Sequence, residues 1–382
     1  MRITIVQGAF LPVPPLRGGA IEKAFHSLAR EFAKNGHKVT YISRQCDGLA
    51  RQETENSNLK HIRIKGYDAS GSLLKLKWKD LLYSIRARRI LPIANILITH
   101  TFWLPIIATR PKKHGATYVH VGRSPKGQMR FYKNAARLQT VSRPIADAIQ
   151  KEIPSKKQRQ VKVLPYPLDP LFIGRPSLEK PKINRILYAG RIHPEKGINL
   201  LIKSFESLPD SIKEKWELKI IGPWKEKHGG AGSVYRKQLQ LLAKDMDNVY
   251  FQNPIFDQDK LIQEYDRSSI FVYPSLAENG ETFGLAALEA MSRGCLTLVS
   301  GLPCFKDFIN NGVNGFSFNH RIDEPEKALA EKLKLIIEVY DTDNSVSEKA
   351  VETATAYSPK RVSLEFIKDF EEIIGISSPR PK

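Results

Sequence analysis

The sequence predicts an α/β protein built from two doubly wound domains. Three observations carry that expectation. The 382 residues are enough for two separate cores. The chain opens on an apolar run, ITIVQG, followed by a Pro/Gly-rich loop and a helical pattern. The same strand–glycine loop–helix start returns after about residue 175, at NRILYAG and RIHPEKG. Two such starts argue for two domains of alternating strands and helices rather than one barrel.

In the first half, Ile21 to Asn35 reads as an amphipathic helix with Ile21, Phe25, Leu28, Ala29 and Phe32 on one face, stopped by Gly36. HKVTYIS is the next strand, and residues 59–66 another. Leu73 to Leu91 alternates leucines, Trp78 and Ile85 with lysines and arginines. That pattern fits a helix lying on a membrane surface and equally a core-facing helix with solvated lysines. Short strands follow at Asn95–His100, Ala116–His120 and RLQTVS, and VKVLPYPLD closes the domain. In the second half, INLLIKSFESL, the stretch from about Tyr235 to Asp245 and Asp259–Arg267 read as helices. WELKIIG, NVYFQNPI, IFVYPS, TLVSG and GVNGFSF read as strands. The expected domains are residues 1–170 with a returning C-terminal helix, 357–382, and residues 171–356.

Charge separates the halves. Residues 1–175 hold 32 Lys and Arg against 10 Asp and Glu, a balance of +22, and the remainder holds 28 against 30. Positive charge confined to one domain points to an anionic partner: an acidic acceptor, an anionic membrane or nucleic acid. Nucleic acid is not expected, because no reader motif accompanies the charge. Cys46, Cys295 and Cys304 stand at unrelated spacings, which supports neither a disulfide framework nor a metal centre. The N-terminus enters a strand without a leader pattern, and no apolar run reaches the roughly 18 residues needed to span a bilayer. The expected location is the cytoplasm, with peripheral attachment to the inner face of the membrane as the variant that the basic domain allows.

The stretch Pro274–Met291, PSLAENGETFGLAALEAM, is the richest in chemistry. A strand end runs into a polar loop, and a helix starts at Phe283–Gly284. Free amides at such a start suit an anionic ligand, while Glu281 and Glu289 suit sugar hydroxyls. Arg191 and Lys196 frame the loop after the first strand of the second domain, where two cations would hold a diphosphate. Gly18-Gly19 allows close approach of backbone to a ligand. His120 ends a strand, at the edge where open α/β sheets bind ligands. Taken alone, each of these also fits an ordinary βα unit with surface side chains. Asp-x-Asp pairs at Asp245/Asp247, Asp257/Asp259 and Asp341/Asp343 read as caps or solvated faces, so no metal ligands are expected at the site.

Taken in order, these segments resemble glycosyltransferase family 4, retaining enzymes with the GT-B fold, in which two Rossmann-like domains face a cleft. LPVPPLRGGAIEKAFHSLAREFAKNGHKVTYIS is similar to its N-terminal loop, helix and strand. LYAGRIHPEKGINLLIKSF is similar to its phosphate-binding segment, and PSLAENGETFGLAALEAMSRG to its paired-glutamate motif. The first of these also resembles bacterial spore-coat and surface-polysaccharide members. The resemblance implies transfer of a sugar from a UDP- or GDP-linked donor to a glycan or lipid-linked acceptor, with no cofactor. It implies that Glu281 contacts the donor sugar, that Glu289 binds the ribose, and that Arg191 and Lys196 neutralise the diphosphate. It further implies that the amides of Phe283, Gly284, Leu285 and Ala286 hold sugar and phosphate, that Gly19 lets its loop approach, and that His120 lies near the transferred sugar. A catalytically inactive relative acting as a coat or membrane-surface binding protein is the alternative. The sequence departs from the family pattern at Thr282, where glycine is usual, at Tyr166-Pro167 before the interdomain link, and at Asp307. Glu278 competes with Glu281 for the first glutamate's role.

Overall fold

The computed structural model describes residues 1–16, 19–108, 110–174, 181–340 and 344–375. They form two compact units: Met1–Asp169 with the chain from Tyr357 onward, and Pro170–Ala356. Each is a twisted sheet flanked by helices.

The first sheet contains β1 (Arg2–Val6), β2 (Lys38–Arg44), β3 (Gln52–Asn56), β4 (Leu59–Ile64), β5 (Ile96–Thr99), β6 (Ala116–Val121), β7 (Arg137–Thr140) and β8 (Val161–Val163). Their order is β3-β4-β2-β1-β5-β6-β7-β8. All neighbours pair in parallel except β3, which runs antiparallel to β4. β1, β5 and β6 read as apolar runs because helices cover both faces of a parallel sheet; all four residues of β5 are buried. Polar β3, QETEN, lacks the apolar alternation that marks a strand. It forms because β4 offers it an open edge.

The helix Ala20–Lys34 packs on this sheet through Phe25, Leu28, Ala29 and Phe32. The helix Pro359–Ile374 returns onto it: Phe32 meets Phe370 at 5.6 Å and Phe25 meets Phe366 at 6.0 Å between ring centres. Buried Asp369 fixes the return by accepting from Tyr118 Oη and Arg137 Nε, each at 2.9 Å. The helix Leu73–Arg89 packs differently from its leucine pattern. Its inward residues are Asp80, Tyr83, Ser84 and Ala87, while Leu73, Leu74 and Trp78 are 72%, 81% and 62% exposed. Asp80 faces inward because its carboxylate accepts from the amides of Phe102 and Trp103 at 3.0 and 3.1 Å.

The second sheet contains β9 (Ile183–Ala189), β10 (Glu217–Ile221), β11 (Val249–Gln252), β12 (Ser268–Tyr273), β13 (Leu296–Ser300) and β14 (Phe316–Phe318). Their order is β11-β10-β9-β12-β13-β14, all parallel. The chain winds outward from β9 to one side and from β12 to the other. The β9/β12 boundary is therefore the topological switch point, where the loops beyond the strand ends diverge and leave a crevice. The segments after β9 and β12 are RIHPEKG and PSLAENGET.

Candidate active site

In the second unit the loop after β9 makes one 3-10 turn, Pro194–Lys196, and leads through Gly197 into the helix Ile198–Glu206. Gly197 has φ +67°, and a Cβ there would lie 2.1 Å from the carbonyl oxygen of Pro274. Glycine is thus what allows the β9 loop to lie against the β12 loop. The Leu276 amide then donates to the Glu195 carbonyl at 2.8 Å, tying the two loops together.

This contact brings the expected residues together. Lys196 Nζ donates to Glu281 Oε2 at 2.7 Å, and both side chains are nearly buried, 5% and 10% exposed. The ammonium also sits 5.5 Å from the centre of the Tyr273 ring. Burial, followed by the charge of Glu281, pushes the Tyr273 phenol well above its ordinary value, so it stays a neutral donor beside the carboxylate. Tyr273 and Tyr188 stack at 6.0 Å and form one wall. Arg191 reaches along the same loop. Its guanidinium donates to Gly229 O and to Glu195 Oε1, each at 2.8 Å, and its side chain remains 43% exposed. One cation is therefore internal and engaged with a carboxylate, and a second is tethered at the surface. That combination suits a doubly charged phosphate chain.

The helix begins later than its pattern implied. It spans Leu285–Ser292, because Gly284 lies in the left-handed region at φ +82° and cannot be its first residue. A Cβ on Gly284 would meet Phe305 Cε1 at 2.2 Å. Phe283 is buried against Phe308 at 5.5 Å. The amides of Leu285 and Ala286 belong to the first turn, which has no intrahelical acceptors for them. Glu289 stands one turn further on and accepts from Tyr265 Oη at 3.2 Å. Glu281 is thus paired with an ammonium beside the Tyr273 phenol, and Glu289 accepts from the Tyr265 phenol.

Glu278 is committed elsewhere. Arg321 donates to both of its oxygens, at 2.7 and 2.8 Å, and His320 lies at 2.9 Å. The Arg321 hydrogen bond, ahead of the other contributions, lowers its pKa. It clips the β12 loop to the segment after β14, leaving Glu281 with Lys196. Of the Asp-x-Asp pairs, Asp257 caps the helix Gln258–Arg267 by accepting from the Lys260 amide at 3.2 Å. Asp341 and Asp343 lie outside the described residues.

In the first unit, Gly18 lies outside the described residues, and Gly19 precedes the helix Ala20–Lys34. His120, the last residue but one of β6, sits in a buried network. Its Nδ1 is 2.7 Å from Gln139 Oε1 and its Nε2 is 3.0 Å from Tyr166 Oη. Gln139 spends its amide hydrogens on the carbonyls of Thr140 and Leu164, so its oxygen is the acceptor. His120 therefore donates from Nδ1 and accepts the phenol proton at Nε2. Burial pushes its pKa down to about 4, against the Gln139 bond that raises it, so the ring is neutral at pH 7. Glu22 was not singled out from the sequence. It is 8% exposed and accepts from Gln7 Nε2 at 3.0 Å. Burial raises its carboxyl above the ordinary range. Its sole sequence signal was its place three residues into a helix after Gly19. Tyr273, also missed, sat in plain view as the last residue of β12.

Residues 173–353 match the family model "Glycosyl transferases group 1". The match covers the second unit to within three residues at each end. Unit 2 is a group 1 glycosyl transferase domain. Arg191, Lys196, Glu281 and Glu289 all belong to this group 1 domain. The lipopolysaccharide 1,2-N-acetylglucosaminetransferase of Salmonella typhimurium is 29% identical over 153 residues, which is 38% of this chain and 39% of that protein. That match spans less than half of either. Spore coat protein SA of Bacillus subtilis is 24% identical over 357 residues, 87% of this chain and 89% of that one. Sucrose-phosphate synthase from Thermosynechococcus elongatus is similar in structure with a TM-score of 0.76 at 17% identity, covering 99% of this chain and 100% of that chain. At that identity the likeness is one of fold, and the fold is GT-B: two Rossmann-like units.

Proposed function

We propose that this chain is a retaining, metal-independent hexosyltransferase. It moves a sugar from a UDP- or GDP-linked donor to a glycan or lipid-linked glycan, in surface polysaccharide or lipopolysaccharide synthesis. The observation that carries this reading is the Lys196–Glu281 pair at 2.7 Å, formed between the β9 and β12 loops at the switch point of a group 1 domain.

In the proposed reaction the acceptor hydroxyl attacks the anomeric carbon on the face from which the diphosphate departs. The anomeric C–O bond to the diphosphate breaks as the new glycosidic bond forms. The hydroxyl proton passes to a departing diphosphate oxygen, so no protein nucleophile is consumed. Negative charge grows on the diphosphate, and Arg191 and Lys196 oppose it, which is the principal electrostatic contribution. The amides of Phe283, Gly284, Leu285 and Ala286 add dipoles toward the same group. Glu281 orients the sugar hydroxyls and holds the Lys196 ammonium before the donor arrives. Glu289 takes the ribose hydroxyls. Gly19 and His120 belong to the first unit, and the family resemblance alone assigns them to the transferred sugar. Because His120 is neutral and bonded at both nitrogens, its role is to position; Tyr166 yields Nε2 when a sugar hydroxyl takes its place.

For the acceptor, the +22 balance of the first 175 residues and the exposed Leu73, Leu74 and Trp78 beside Lys75, Lys77 and Lys79 favour attachment to an anionic membrane. No helix among the described residues is long and apolar enough to cross one. Screening nucleotide sugars by thermal stabilisation identifies the donor. Anomeric configuration of the product, read by NMR, tests retention. Glu281→Gln or Arg191→Ala retaining full transfer would remove this reading. Sedimentation with phosphatidylglycerol vesicles, lost in high salt and in Trp78→Ala, tests the membrane partner. Equal binding to neutral vesicles argues against it.

A further inference from the structure

The first unit holds a second cluster with metal-binding chemistry. His26 lies on the helix Ala20–Lys34, Glu55 on β3 and His61 on β4. The Nε2 atoms of both histidines converge on Glu55 Oε2, at 3.0 Å from His26 and 2.7 Å from His61. The candidate ligand atoms of the three residues all lie within 4.8 Å of one another. His26 and His61 are 5% and 1% exposed, while the Glu55 side chain is 22% exposed. The cluster is thus walled by protein on the imidazole side and open to solvent on the carboxylate side.

Two features of the backbone and its neighbours build this arrangement. The β3–β4 register shifts between Thr54 and Asn56, so Glu55 is the extra residue of a bulge. A bulge re-aims a side chain, and here it turns a carboxylate from a polar edge strand toward the histidines. On the other side Tyr41 stacks on His61 at 5.7 Å and meets His26 edge-on at 6.4 Å. Arg30 donates to Glu55 Oε1 and leaves Oε2 for the imidazoles. That is the outer contact which orients a ligating carboxylate. His61 Nδ1 is buried and has no hydrogen-bond partner among the described residues.

We propose that His26, Glu55 and His61 bind one zinc ion through two imidazole nitrogens and one carboxylate oxygen, with water in the fourth position. Zinc–ligand bonds of about 2.0–2.1 Å in a tetrahedron put neighbouring ligand atoms about 3.3 Å apart. The two Nε2–Oε2 separations therefore open by about 0.3–0.6 Å, while the two imidazole nitrogens, which lie within 4.8 Å of each other, come to the same spacing by side-chain rotation. Two imidazoles and a carboxylate suit zinc better than magnesium or calcium, which prefer all-oxygen shells. On binding, each neutral imidazole carries its one proton on Nδ1 and turns the Nε2 lone pair to the ion, and an imidazolium releases its second proton to solvent. The ion ties the helix to the edge hairpin β3–β4. Its role is structural, and the site uses none of the residues assigned to the donor.

The test uses the untagged full chain, stripped with a chelator and then given zinc or cobalt(II). The expected result is about one zinc per chain retained through gel filtration, measured by mass spectrometry. The cobalt form should show visible absorption of a tetrahedral site. Glu55→Gln and His61→Gln should each weaken zinc binding at least tenfold, with the unit still folded by circular dichroism. Donor binding by Glu55→Gln should match wild type, which separates this site from the proposed function. Wild-type protein that retains no zinc and gives no cobalt spectrum overturns the proposal. So does equal zinc retention by wild type and both variants.

Discussion

Replacing Lys196 by Met removes the buried ammonium and leaves Glu281 facing Tyr273 and apolar side chains. The pair is 2.7 Å long, with side chains 5% and 10% exposed. Water screens it little, and the loss of one partner strands the other. Breaking a buried pair from one side typically costs about 3–5 kcal/mol. For a unit of this size each kcal/mol lowers Tm by roughly 2–4 °C, so Lys196→Met is expected to melt about 6–20 °C lower. Glu281→Gln should lose a similar amount, because it strands the ammonium. The double variant Lys196→Met/Glu281→Gln removes both charges and should recover to within about 2 kcal/mol of wild type. Transfer should behave differently. Loss of the cation that opposes diphosphate charge costs about 100- to 1,000-fold in kcat, and the double variant regains stability without regaining activity. Denaturant titration of all four proteins, with transfer rates measured on the same samples, separates the two effects. Additive stability losses in the double variant would refute the pairing. Full transfer by the double variant would refute the role.

Arg191 is tethered at the surface, so Arg191→Ala should change stability by less than about 1 kcal/mol yet weaken donor binding about 10- to 100-fold by calorimetry; unchanged affinity counts against its phosphate role. Gly284→Ala meets both a left-handed backbone and the Phe305 ring and should cost about 2–4 kcal/mol in denaturant titration; a neutral outcome contradicts the αL start of the helix. His120 titrates at about 4 when folded and near 6.5 when unfolded. The unfolded chain therefore binds more protons between those values, and stability falls as pH drops through that window. From pH 7 to 4.5, wild type should lose about 2–3 kcal/mol more than His120→Gln; identical pH slopes would show that the ring is not held neutral. Asp369→Ala removes the buried acceptor of Tyr118 and Arg137 and should destabilise the first unit by about 3 kcal/mol or more; a loss below 1 kcal/mol would show that Asp369 does not anchor the returning helix.

Much of the site was legible in the sequence because its residue types sit in loops punctuated by glycine. RIHPEKG and PSLAENGETFG declare turns before helices, and such turns leave amides and short-range charges at one end of a sheet. The helix from Ala20 was legible through Phe25, Leu28, Ala29 and Phe32, whose spacing is that of a buried stripe. The helix from Leu73 left a membrane-facing and a core-facing reading open for the opposite reason. Its apolar residues outnumber its buried positions, and burial went to Tyr83 and Ala87 because Asp80 is held by the Phe102 and Trp103 amides. β3 was missed because QETEN has no apolar period; an antiparallel partner supplies its structure.

The sequence by itself determined two glycine-started α/β units, the concentration of positive charge in the first, and which acids and bases lie in the loops after β9 and β12. Tertiary structure decided which of them meet. Lys196 and Glu281 are 85 residues apart, and Glu278 and Arg321 are 43 apart. No local pattern records such pairings; they follow from β12 lying beside β9 on one edge and beside β13 and then β14 on the other. That order gave Glu281 the buried ammonium and Glu278 the surface guanidinium. In the first unit the bulge at Glu55 did the same for His26 and His61. Side-chain type is written in the chain, but the distance between two charges is fixed by strand order and burial, and distance with burial sets what the charges can do.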